Sequence, residues 1–213
     1  CVSELAFVGL SIQANKSALI CLGRARKYRT LAVRISINGV LLDSTRELRC
    51  LGVHFTAGQI LKFNFDHCKS KLNAILAHVG NRADLVLPLC NVQCVPMLLY
   101  DVESMSLTNT EKIRLAHPYF RIFTKLFNTF DISIIKQCQW YMGCMPLEYV
   151  IDLRTIKFCE KLVNSRNHVL KTIFMLNSYD EMLKLKSKYG IDKNPRISWR
   201  TMLWSHFELS IDL

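Results

Sequence analysis

The chain has no Cys-x-x-Cys pair, no Gly- or Ser-rich stretch, no block of like charge and no close-set group of acids. Each absence removes a class of protein. Nine cysteines are present, but the nearest pairs, Cys90/Cys94 and Cys138/Cys144, lack the companion histidines of a zinc module. The cysteine count is odd and no secretory h-region is visible, so reduced intracellular thiols are expected. Asn15-Lys16-Ser17 matches a glycosylation sequon by letter only. A hard-cation site gathers several oxygen ligands, whereas Asp43, Asp66 and Asp84 stand far apart and read as surface charges. No metal site is therefore expected. No run reaches the ~20 apolar residues of a membrane span. Residues 85–100 come nearest, interrupted by Pro88, Asn91, Gln93 and Pro96. The chain opens on Cys1 rather than a methionine, as a processed product or partial translation would.

What is present is a globular composition. Half of the 213 residues are hydrophobic and 21% are charged, enough to bury a core of one or two domains. The net charge is +11 and the isoelectric point about 9.3, which makes a polyanion the leading partner class. The basic excess is densest in the first 57 residues, with eight Lys and Arg against three acids.

Along the chain, residues 1–10 read as the end of a helix stopped near Gly9. Residues 11–17 form a turn with Lys16 at its tip, running into an apolar strand over 18–22. A basic stretch follows (Arg24, Arg26, Lys27, Arg29), then a β-branched run and an Asn38-Gly39 hairpin signal. Residues 46–53 read as a strand with a tight Leu51-Gly52-Val53 step, where glycine marks a bulge or a close backbone approach. Past residue 57 the period becomes helical: Leu61, Phe65, Cys68, Leu72, Ile75 and Val79 share one face, ending at Gly80-Asn81.

Residues 85–100 predict a helix buried on several sides, kinked or broken at Pro88 and Pro96. Thr108-Asn109-Thr110-Glu111 is a capping-box pattern. Behind it Ile113, Ala116, Phe120, Phe123 and Phe127 form an apolar stripe, with Arg114, Arg121 and Lys125 on another face. The aromatic series, extended to Phe130, reads as core rather than as a base-stacking surface, and Trp140 and Tyr141 also read as packing. Pro146 opens a further helix with Arg154, Lys157 and Lys161 on a basic stripe. His54, His67 and His78 stand alone on apolar patterns, and Lys184, Lys186 and Lys188 read as one side of a helix. No internal repeat is evident.

Four segments resemble one family. Residues 10–17 match a Leu-x-Ile-Asn-x-x-Lys-Ser element, and Glu47 to Val53 match Glu-x-Arg-Tyr-Leu-Gly-Val. Residues 71–75 are similar to an early thumb helix, and Pro96 to Glu103 resemble Pro-x-Leu-Leu-Tyr-Gly-x-Glu. In this order they resemble the end of the palm and the thumb of non-LTR (LINE-type, jockey-like) retrotransposon reverse transcriptases. Gln13, Cys50 and Asp101 depart from the pattern. An aspartate at 101 is strained if the backbone there needs a positive φ.

The resemblance implies an α+β chain, with a small antiparallel palm remnant over 1–57, a helical thumb-like region over 58–145 and a helical extension over 146–213. It implies a piece of an RNA-directed DNA polymerase that grips primer and template. The parent's Mg²⁺-binding aspartates are absent, so no cofactor is expected in this chain and no polymerisation from it alone. Lys16 is the vestigial general-acid candidate. Arg24, Arg26, Lys27, Arg29, Leu51, Gly52, Val53, Arg114, Arg121 and Lys125 are the candidate nucleic-acid contacts. The implied partners are an RNA/DNA primer–template duplex and the missing palm and fingers segment, with no membrane, in an intracellular location that includes the nucleus. A non-catalytic nucleic-acid-binding module and a non-functional remnant of a decayed element are the alternatives.

Overall fold

The computed structural model describes residues 2–23, 35–50, 52–59, 62–79, 83–105, 107–190 and 198–211. It is a mixed α and β chain of helices and two small antiparallel sheets. Two compact units divide it, Cys1–His67 and Cys68–Leu213.

The first unit begins with α1 (Val2–Phe7), which ends as Gly9 turns at φ +74°. Strands β1 (Ser36–Ile37) and β2 (Val40–Leu41) pair Ser36 with Leu41 and Ile37 with Val40. Asn38 and Gly39 both take positive φ, 52° and 81°, so this is the two-residue hairpin that the Asn-Gly pair specifies. β3 (Glu47–Cys50) and β4 (Val53–Thr56) form a second hairpin, and β5 (Lys62–Phe63) adds a third strand beside β4.

Three expectations are corrected here. Gly52 lies at a chain reversal, not in a strand interior: Cys50 pairs with Val53, and Gly52 sits between them at φ 90°. Glycine serves there because it adopts the left-handed region without a Cβ clash. The apolar residues 18–22 make an isolated bridge, Leu19 with Ser44, instead of a strand. Phe65 precedes the next helix, because the chain over 62–63 pairs with β4; Leu61 lies outside the described residues. That third strand also carries the first unit past the Ala57-Gly58 step. His54 and His67, expected to stand alone, have rings 5.2 Å apart.

The second unit is helical. α2 (Asp66–Val79) starts on an Asn64 side chain that accepts from the Asp66 N–H. α3 (Ala83–Leu89) runs through a π-turn over Cys90–Cys94 into α4 (Val95–Leu98). Pro88 and Pro96 bring no N–H to the ladder, and between them the helix widens rather than breaks. Leu85–Ser104 is long and apolar enough to cross a membrane by length and composition, contrary to the reading of the sequence. Val86, Cys90, Cys94, Leu98, Leu99 and Val102 from it are nevertheless buried in protein.

α5 (Asn109–Phe127) has the complete capping box: Thr108 accepts from the Glu111 N–H, and Glu111 accepts from that of Thr108. Its buried face is Leu115, Ala116, Tyr119, Ile122 and Phe123, rotated from the expected stripe, so Ile113 is 63% exposed. α6 (Ile132–Tyr141) starts on Asp131, whose carboxylate accepts from the Ser133 N–H. Trp140 and Tyr141 meet edge to face, but Tyr141 is exposed, so only Trp140 is packed.

α7 (Leu147–Val163) is the central element. It touches the 102–104 turn, α5, α8 (His168–Asn177), α9 (Tyr179–Lys188) and α10 (Trp199–Glu208). Met145, Ile156, Leu185, Tyr189 and Leu203 form one core cluster; Cys159, Phe174 and Met182 form another. At the centre Asp152 is buried, accepting from Lys112 (2.9 Å), Lys188 (2.8 Å) and Tyr189 (2.6 Å). Burial alone would raise its pKa, but Lys188, Tyr189 and Lys112 outweigh burial and hold it below the ordinary carboxylate range. Three helices are thereby tied at one carboxylate. The α9 lysines lie on a helix as expected, and two of them have partners: Lys188 pairs with Asp152, and Lys186 lies over the Trp199 ring.

Candidate nucleic-acid interface

The capping box fixes the start of α5, and its buried face fixes its rotation. Arg114, Arg121 and Lys125 consequently point outward, and all three are exposed. At 1.5 Å of rise per residue they span roughly 16 Å along the helix. A cationic row of that length suits the phosphate backbone of a nucleic acid, where released counterions supply affinity whatever the sequence.

Two of the three enter a concave site. A cleft of about 580 Å³ is lined by Asn73 and Ala77 from α2, by Arg121, Thr124 and Lys125 from α5, and by Asn128 and Phe130. Asn73 stands there because the preceding residue, Leu72, is fully buried and turns its neighbour outward. Asn128 ends α5 in the left-handed conformation (φ 49°, ψ 42°). That reversal takes Phe130 off the helical stripe, so this ring is 87% exposed rather than core. Phe123 is fully buried as expected, and Phe120 and Phe127 are half-buried.

The other predicted positions are distributed elsewhere. Lys16 ends a single 3₁₀ turn (Ala14–Lys16) and is exposed; the turn is closed by Ser17, whose N–H donates to Ala14 and hydroxyl to Gln13. Gly52 is exposed in the β3–β4 turn, whereas the Val53 side chain is buried, leaving only its backbone to a ligand. Leu51, Arg24, Arg26, Lys27 and Arg29 lie outside the described residues. Of the predicted contacts, Arg121 and Lys125 share one cleft, and Arg114 stands two turns before Arg121 on the same face.

Sequence reasoning missed Asn73, Asn128 and Phe130. The available signal was an asparagine after the last apolar residue of α5, a left-handed stop that ends the period before Phe130. It also missed the role of Arg154. This guanidinium donates to the Leu99 carbonyl and lies 3.6 Å from Glu103, turning inward from the basic stripe assigned to it. Between these partners Asp101 takes φ 59° and ψ 10°, the left-handed region.

The thiols of Cys90, Cys94 and Cys144 are buried, and the Cys144 Sγ–H donates to the Met142 carbonyl at 3.6 Å. Burial pushes the Cys90 thiol up to about 12, with Cys94 and Cys144 adding to the rise. Among the described residues no three His, Cys, Asp or Glu side chains are placed to hold a metal ion. No protein-family model matches the chain, and neither a curated protein nor a solved structure matches it significantly.

Proposed function

We propose that the chain is a primer–template-holding part of an RNA-directed DNA polymerase of the non-LTR retrotransposon kind. In this reading Cys1–His67 is the end of the palm and Cys68–Leu213 carries the thumb. The observation that carries it is the backbone of Asp101. The family element Pro-x-Leu-Leu-Tyr-Gly-x-Glu has glycine at this point, and here the residue is held left-handed although it has a Cβ. A glycine of that motif has the same physical reason to be there. The motif's glutamate, Glu103, and the backbone carbonyl of Leu99 both meet Arg154, which ties this segment to α7.

The exposed apolar residues of the first unit support the same reading. Phe7 is 91% exposed, and Val8, Leu10, Val40 and Leu41 are exposed too. Such residues suit a piece whose core is completed by a further palm and fingers segment. The exposed cations of α5 would follow the duplex backbone, and the β3–β4 turn would approach the primer strand. Lys16 keeps the place of a proton donor to departing pyrophosphate. Magnesium would supply the parent enzyme's in-line phosphoryl transfer. In this reading the chain contributes grip, and the magnesium-holding aspartates belong to the parent enzyme's other palm motifs.

Anisotropy titration of a fluorescent RNA–DNA hybrid tests the reading. Binding that falls steeply between about 50 and about 200 mM salt is expected. No binding of the hybrid at low salt would refute it. Primer extension by this chain with magnesium and nucleotides should not exceed a protein-free control; extension would show that the catalytic aspartates are not required. A non-catalytic nucleic-acid-binding module is the second reading, favoured if the hybrid binds but no palm-completing segment associates.

A further inference from the structure

We propose that the cleft between α2 and the end of α5 is a subsite for an unpaired nucleotide of a single-stranded nucleic acid. The proposal rests on the reading of the chain as a nucleic-acid-holding protein and names what this one cleft takes. Phe130 stacks on the base. Arg121 and Lys125, one turn apart, hold the flanking phosphates. Asn73, Thr124 and Asn128 offer amides and a hydroxyl to the base edge and sugar.

The cleft's volume, about 580 Å³, falls within the roughly 300–1,000 Å³ of small-ligand sites, so it admits a nucleotide. Phe130 is the decisive residue. A phenylalanine left 87% exposed forgoes about 2 kcal/mol of burial, and core packing does not explain its position. Its place is also fixed in advance. The left-handed Asn128 precedes it, and Asp131 follows, its N–H donating to Thr129 and its carboxylate capping α6. The loop bearing the ring is short and hydrogen-bonded at its Asp131 end, which reduces the ordering left for binding. The Asp131 carboxylate, next to Phe130 in sequence, is engaged with the α6 N-terminus.

A ring of this kind needs a base with an open face. In a duplex each face is covered by the next base pair, whereas a single strand presents faces that stack on aromatic rings at about 1–3 kcal/mol per base. An acidic peptide would satisfy the cations but leave the ring without a π partner. The cations of α5 thus serve any strand, and Phe130 selects the unpaired one.

The test compares the full chain with Phe130→Ala, Phe130→Trp, Arg121→Ala and Lys125→Ala. Binding of a fluorescent single-stranded octanucleotide and of a blunt RNA–DNA hybrid is measured by anisotropy. Phe130→Ala should weaken the single strand about tenfold and the hybrid less than about twofold, and Phe130→Trp should restore the single strand. Arg121→Ala and Lys125→Ala should each lower the single-strand salt slope by about 0.7. If the hybrid binds but Phe130→Ala holds the single strand as tightly as the parent, the subsite is wrong and the broader reading stands. If neither nucleic acid binds, the broader reading falls with it. An oligoglutamate of equal charge that binds as tightly as the octanucleotide would assign the cleft to acidic peptides and overturn the proposal.

Discussion

In Cys1–His67 one hydrophobic side chain among those described, Val53, is buried, while every other buried hydrophobic of the described chain lies in Cys68–Leu213. The first unit is organised by turns. Asn38-Gly39 and Gly52 set two hairpins through backbone conformations that need no partner far along the chain. The second unit is organised around α7, which gathers four other helices and the 102–104 turn, with Asp152 at the centre. Local chemistry can shape a hairpin, but the described residues of this unit bury one valine and so contribute little of the hydrophobic stabilisation that makes unfolding cooperative.

The contrast yields its largest effect in paired truncations. Phe123→Ala should lower the stability of the main unfolding transition by about 4 kcal/mol, since the ring is fully buried. Val53→Ala should move that same transition by less than about 0.5 kcal/mol. Chemical denaturation of both variants checks this, and equal losses would mean the two units share one cooperative core.

Asp152→Ala should cost about 3 kcal/mol, because it strands the half-buried Lys112 beside a lost partner. The linked pH dependence has a definite sign. A carboxylate held below its ordinary pKa stabilises the fold above that ordinary value, and the contribution is lost as pH falls through the depressed one. Thermal melting of the parent should therefore weaken at acidic pH, with a smaller acid-side drop in Asp152→Asn. At the other extreme, Cys90 ionises only near 12 in the fold. Its contribution is complete below about 9 and declines as pH rises towards 12. Melts across that range should show the decline, and a Cys90→Ala variant should make it shallower, the other buried thiols and tyrosines with raised pKa values keeping the rest.

A further, modest effect concerns Asp101. Asp101→Gly should stabilise the second unit by about 1 kcal/mol by removing a Cβ from a left-handed position. A loss in stability on that substitution would mean that the aspartate makes a compensating contact and would weaken the motif argument.

Much of the fold was legible where residues act through their nearest neighbours. Thr108 and Glu111 cap a helix through bonds three residues apart, and Asn38-Gly39 turns a hairpin through its own φ angles. The outward cations of α5 were legible by period. The candidate cleft was only half legible: Arg121 and Lys125 could be placed on a face, but Asn73 reaches them from more than forty residues away. Phe130 was misread because its period continued past a stop that a single asparagine imposes.

The Asn38-Gly39 hairpin, the capped start of α5 and its charged face follow from the sequence alone, because dihedral preference and helical period are properties of short segments. Which carboxylate goes under, which arginine turns inward and which phenylalanine stays out were decided by tertiary structure. Burial depends on what the rest of the chain brings alongside. Asp152 could enter the core only because Lys112, Lys188 and Tyr189 arrive from other helices to compensate its charge.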